Sequence, residues 1–193
     1  MRRILVVSIA VGLCHLLPAA SSLAEDPLGM HADVLNSYKI QEPERPGDKT
    51  YLGLTASGPF SVGQVKAEVL IVQIFSMYCP HCQADAPNVL SLCGLIDKDP
   101  KLKGRVKLLG LGLNNTWYEV DFFRNKYKMP FPMIPDEQGT FQSAAKETIR
   151  TPAYVVLKLS PGKPAEVAFT KLRAIKGVEE FLDQIRKLLA SKG

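Results

Sequence analysis

The stretch Glu68–Ile96, EVLIVQIFSMYCPHCQADAPNVLSLCGLI, decides how the chain is read. Its first part, through Phe75, is an almost unbroken apolar and β-branched run. Runs of that kind form strands buried on both faces, as in parallel sheets. Its second part, from Cys79 onward, reads as a helix. Two cysteines at CxxC spacing therefore straddle a strand-to-helix turn. Pro80 suits the first helical turn, where a missing N–H removes no hydrogen bond. Pro87 falls inside the helix and predicts a kink.

The same alternation continues outward. Gly104–Asn114 (GRVKLLGLGLN) is a second buried strand, starting near Val106. Thr116–Met129 is amphipathic, with Val120, Phe123 and Tyr127 on one side, and predicts a helix. Phe131–Gly139 reads as a short strand and turn, and Thr140–Thr148 as a short helix. Thr151–Leu172 reads as two antiparallel strands around a Ser160–Pro164 turn. Val178–Ala190 closes the chain as a helix with Phe181, Leu182, Ile185, Leu188 and Leu189 on one face. Upstream, Tyr51–Val62 alternates apolar and small residues around Ser57-Gly58-Pro59, which predicts a β-hairpin. The sum is an α/β chain, a three-layer α/β/α sheet with a mixed edge.

The amino terminus bears on the compartment. Arg2 and Arg3 precede an uncharged apolar run, Ile4–Leu17, and then small residues with Ser22 and Ala24 at the −3 and −1 positions. This reads as a secretory signal peptide over residues 1–24. The apolar run is shorter than the roughly 20 residues of a spanning helix. An uncleaved anchor is the alternative. Glu25–Lys49 is polar and turn-rich and reads as an extended arm or linker, with one helical turn near Ala32–Tyr38. Residues 50–193 then form one domain, of a size that holds a real core. The formal charge of +5 falls by two when Arg2 and Arg3 leave, and what remains is evenly spread. That argues against nucleic-acid binding. The mature chain reads as soluble and exported, to the periplasm or another extracytoplasmic space.

Cys14 departs with the signal, leaving Cys79, Cys82 and Cys93. Zinc needs four ligands, usually two knuckles or a knuckle with histidines. One CxxC and the distant His31 do not supply them. A structural disulfide across CxxC closes a tiny loop and removes little unfolded-state entropy. A redox pair has a mechanism. Cys79 at a helix N-terminus meets unpaired N–H groups and the positive end of the dipole, which favour its thiolate. Cys82, one turn on, resolves the mixed disulfide. His81 adds a partial positive charge and a donor nearby, which stabilises the reduced form and strengthens the oxidant. Thr151-Pro152, just ahead of a buried strand, is a candidate cis bond. Cys93 lies about 16 Å from Cys82 along one helix at ~1.5 Å per residue, and reads as a small buried apolar residue.

Taken together, these residues resemble the thioredoxin superfamily, and within it the TlpA/ResA-like extracytoplasmic thiol–disulfide oxidoreductases. The match runs from about Tyr51 to Ala190. Phe60–Cys82 parallels the family's strand and "FWATWCPPC" segment. Its "CxxCxxExP" is present as Cys79, Cys82, Asp85 and Pro87. Its helix–strand insertion before the cis-proline corresponds to Thr116–Glu137, and its cis-proline loop to Ile149–Pro152. The resemblance implies a thioredoxin-like fold with an N-terminal β-hairpin. It implies a nucleophile at Cys79, a resolving Cys82, and a redox disulfide between them. Substrate would be held by Tyr78, Pro80, the Thr151 backbone and cis-Pro152. Neither metal nor organic cofactor is implied. Partners would be the thiols or disulfides of exported proteins, with a membrane redox partner to recycle the pair.

Three positions depart from the pattern. Tyr78 replaces a tryptophan. Gln73 replaces a buried acid and cannot shuttle a proton. Asp85 replaces a glutamate; it is either a proton relay for the thiols or an exposed first-turn acid favoured by the helix dipole. The dipeptide of CPHC is that of DsbA, an oxidant, whereas the framework points to a reductase. The span from Gln83 to Thr151 has no room for the large helical domain of DsbA. Two further readings stay open. A peroxiredoxin-type thiol peroxidase would use Ser76 where that chemistry wants threonine. A copper(I) or thiol-client binding module would use the two thiolates, with His31 or Met77 nearby.

Overall fold

The computed structural model describes residues 32–145 and 148–190. The expected signal peptide, the start of the arm and His31 lie outside the described residues. The elements are α1 (Ala32–Ser37), α2 (Pro46–Leu52), a 3-10 turn (Val62–Gln64), β1 (Val69–Phe75), α3 (Pro80–Lys98), β2 (Val106–Leu113), α4 (Trp117–Lys126), β3 (Met133–Asp136), α5 (Thr140–Ala145), β4 (Ala153–Lys158), β5 (Glu166–Leu172) and α6 (Val178–Ala190).

Five strands form one sheet in the order β3-β2-β1-β4-β5. β1 lies at the centre, and every residue of it is buried, as its apolar run requires. It pairs parallel with β2 and antiparallel with β4. Each face of the sheet carries its own core. Leu70, Val72 and Ile74 pack with Leu35, Phe60 and Phe141 on one side. Val69, Ile71 and Phe75 pack with Val89, Phe123, Phe181 and Ile185 on the other. The three α/β/α layers follow from this two-sided burial. The α4–β3 insertion precedes β4, and β4–β5 form the antiparallel hairpin read from the sequence. The α3 helix runs on through Pro87.

Two expectations are corrected. The hairpin expected over Tyr51–Val62 is absent from these residues. Pro46 opens α2 instead, and Gly53, in the left-handed conformation at φ 73°, ends it. A side chain at Gly53 would also strike Lys66, whose Cγ lies 2.5 Å from the position of a Cβ. Only a single antiparallel bridge, Ile40 to Phe60, remains of strand pairing there. Residues 32–49, read as an extended arm, are docked. Leu35 and Ile40 are buried. Asp48 accepts two hydrogen bonds from Arg124, at 2.5 and 2.8 Å, in a nearly water-free setting. Arg45 pairs with Asp121 at 2.8 Å. These contacts hold α2 against α4, and polar composition alone conceals them.

Candidate active site

Cys79 caps α3. Its sulfur accepts the Cys82 N–H at 3.3 Å and donates to the Thr151 carbonyl at 3.3 Å. The Thr151–Pro152 bond is cis. Cys79 is half-buried, Cys82 fully buried, and both are free thiols. Their chemistry diverges. Burial pushes the Cys79 thiol up, but hydrogen bonds from Cys82, Thr151 and the backbone N–H groups of Cys82 and His81 outweigh it, and its pKa is lowered. Burial, then the hydrogen bond with Cys79, pushes the Cys82 thiol up to about 12. One thiol is thus made a nucleophile and the other kept protonated until needed. Cys93, half-buried on the same helix, is pushed up to about 12 by burial.

The loop ahead of Cys79 is braced by groups that no sequence motif marked. Asn115 is fully buried, and its carbonyl oxygen accepts the Met77 N–H at 2.8 Å. Gln83 reaches back to the Met77 carbonyl at 2.8 Å. Ser76 accepts from the Tyr78 N–H and from Asn115. The Tyr78 ring is exposed, and its hydroxyl donates to Glu119 at the start of α4. Thr116 and Glu119 form a capping box there, the one signal for Glu119 available in the sequence. Pro80 and His81 are exposed at the helix tip. What His81 brings to the Cys79 sulfur is its backbone N–H.

Asp85 is buried, contrary to the reading of an exposed first-turn acid. The Tyr154 hydroxyl donates to it at 2.5 Å, the Asn88 amide at 2.9 Å, and the Ile175 N–H at 3.1 Å. Gln73, opposite Tyr154 on the neighbouring strand, donates its amide to the Tyr154 oxygen at 3.4 Å. The Gln73 carbonyl oxygen is buried and has no partner among the described residues. Burial, and next the charge of Asp85, hold the Tyr154 phenol well above its ordinary range. Among the described residues no cluster of metal-ligating side chains exists.

A central β1, a CxxC at the head of α3, and a facing cis-proline loop together define a known architecture. The fold is thioredoxin-like. Solved structures agree with this assignment. StoA from Bacillus subtilis aligns at 21% identity and TM-score 0.51, over 66% of this chain and 88% of that one. A secreted Mycobacterium tuberculosis disulfide oxidoreductase homologous to E. coli DsbE aligns at 15% identity and TM-score 0.54, over 80% and 98%. The M. tuberculosis DsbF structure, in mixed oxidised and reduced forms, aligns at 16% identity and TM-score 0.56, over 82% and 98%. No family model matches the sequence, and no curated protein does. Within this thioredoxin-like frame, Cys79, Cys82, Thr151 and Pro152 meet at one end of the sheet. Asp85 lies below them in the core.

Proposed function

We propose that this protein is an exported, TlpA/ResA-like thiol–disulfide oxidoreductase that exchanges disulfides with protein substrates through Cys79 and Cys82. The carrying observation is the asymmetry of the thiols: one half-buried and lowered at a helix N-terminus, the other buried and pushed up to about 12. The Cys79 thiolate attacks a substrate disulfide and forms a mixed disulfide. Cys82 then attacks Cys79, closing Cys79–Cys82 and releasing the substrate thiolate. Run backward, the same steps oxidise a substrate dithiol. The substrate chain lies beside Thr151 and Pro152 as an added strand, over Tyr78 and Pro80. His81 tunes the potential, and Asp85 accepts the Cys82 proton. Residues 50–193 form the catalytic domain behind a signal of residues 1–24, and a membrane redox partner recycles the pair.

Cys79→Ser tests the reading, with loss of insulin reduction and of dithiol oxidation expected. Retained activity would sink it. The potential of the couple sets the direction: a value near about −120 mV marks an oxidant, one near about −270 mV a reductant. Fast, saturable peroxide turnover would replace this reading with a thiol peroxidase. Tight stoichiometric copper(I) binding with a disulfide that does not exchange would replace it with a binding module.

A further inference from the structure

The proposed exchange leaves one proton without a path. Cys82 attacks as a thiolate, yet it is fully buried and its thiol is held up to about 12. Asp85, one turn further along α3, makes no hydrogen bond to Cys82 among the described residues. All of its side-chain bonds run to Asn88, the Ile175 N–H and Tyr154. Tyr154 is the only hydroxyl among them. It sits two residues past Pro152 on β4, fully buried in the same layer as Cys82. Charge on Cys82 acts on its phenol.

We propose that Tyr154 carries the Cys82 proton to Asp85 during resolution of the mixed disulfide. This rests on the exchange reaction proposed above. The Tyr154 oxygen accepts from the Gln73 amide and donates to Asp85 at 2.5 Å. An amide N–H only donates, so the phenol's own proton is turned toward the carboxylate. As Cys82 Sγ attacks Cys79 Sγ, the Cys82–Cys79 bond forms and the bond from Cys79 to the substrate sulfur breaks. The substrate sulfur leaves with the electron pair and takes a proton from solvent. The Cys82 proton passes to Tyr154 Oη while the proton of Tyr154 passes to Asp85 Oδ2. The enzyme dithiol is oxidised and the substrate disulfide reduced. Reduction of Cys79–Cys82 runs the relay in reverse.

The surroundings of Tyr154 suit a single route. β1 presents Gln73, which does not titrate. α3 presents Asp85 and Cys82. α6 presents Phe181, whose ring meets Tyr154 edge-on at 6.1 Å. β5 places Lys171 opposite on the strand pair, with its side chain exposed. Asp85 is the only carboxylate hydrogen-bonded to this group.

The test is a two-phase reaction of the reduced protein with an equimolar aromatic disulfide whose thiolate product absorbs visible light (Ellman's reagent). The first phase reports attack by Cys79, the second resolution by Cys82. In Tyr154→Phe the first phase should be unchanged. The second should slow about 100-fold at pH 7, and its rate should climb about tenfold per pH unit, because solvent hydroxide must now take the proton. Asp85→Asn keeps an acceptor for Tyr154 and for the Ile175 N–H but cannot take a proton. It should reproduce the slow, pH-steep phase. The double variant should be no slower than either single one, whereas two separate packing defects would multiply. A second phase within twofold of wild type, with an unchanged pH profile, in either variant overturns the proposal, as does a multiplicative double. If Tyr154→Phe does not fold, Asp85→Asn alone decides it by the same criterion. Absence of a first phase in the wild type would instead defeat the exchange reading itself.

Discussion

Iodoacetamide offered to the reduced protein at pH 7 should label Cys79 and leave Cys82 and Cys93 nearly untouched. The size of the preference follows from the three environments. Cys82 and Cys93 are pushed up to about 12, so about one molecule in 10⁵ carries either thiolate at pH 7. Cys79 lies below the ordinary 9.0, so its thiolate exceeds about one in 100. The population ratio is then at least ~10³. A more basic thiolate is intrinsically more reactive, with a sensitivity of ~0.4–0.5 per pKa unit, which gives back about 20-fold to 30-fold. The net preference for Cys79 is roughly 30–50-fold before burial is counted. The peptide Ala67–Lys98 carries all three cysteines. Fragmenting it after timed pulses reads each rate separately. Cys79 labelling should also level off at lower pH than in the urea-unfolded chain, where the three should react alike. Labelling of Cys82 within threefold of Cys79 in the folded protein would refute the assigned division of labour.

Further outcomes follow from the same contacts. The reduced protein should lose stability at alkaline pH. Cys82, Cys93, Tyr38 and Tyr51 are all raised to about 12 in the fold. A raised acid contributes in full below its unfolded pKa and loses that contribution as pH rises toward its folded one. The window therefore opens near pH 9 for the thiols and 10 for the phenols, each group removing about 1.4 kcal/mol per pH unit. Urea midpoints from pH 8 to 11 should fall progressively, and Cys93→Ala should make the fall shallower. Asp48→Asn leaves the Arg124 guanidinium in a site only 11% exposed. It should cost about 3 kcal/mol, and thermal unfolding should drop by about 6–12 °C. An unchanged midpoint would show that α2 is not clamped to α4. Asn115→Ala removes the acceptor of the buried Met77 N–H and should cost about 1–3 kcal/mol in urea.

How much was legible in the sequence depends on how local each signal was. The β1 run is apolar at nearly every position, so its two-sided burial and central place could be read directly. The cysteines stand at the carboxyl end of that run, where a following helix must begin, so their placement at a helix N-terminus followed as well. The stripe on α6 and the Ser160–Pro164 turn were equally local, and both are present. Tyr51–Val62 failed as a hairpin because Pro46 and Gly53 mark a helix start and stop that outweighed a weak alternation. The arm failed as a linker because its polar residues spend their charges on α4, out of sight of any window.

Asp85 is the clearest case of what only tertiary structure decided. By itself it is an acid in a first helical turn, as often exposed as not. It is buried because Tyr154, 69 residues away, and the Ile175 backbone, 90 residues away, donate to it. Position in the chain therefore determined the nucleophile and its helix, through effects that act within one turn. The acid, the phenol and the unpartnered Gln73 oxygen were brought together only by the pairing of β1 with β4 and the packing of α3 against α6. A buried polar group needs partners, and only the folded sheet says where they come from.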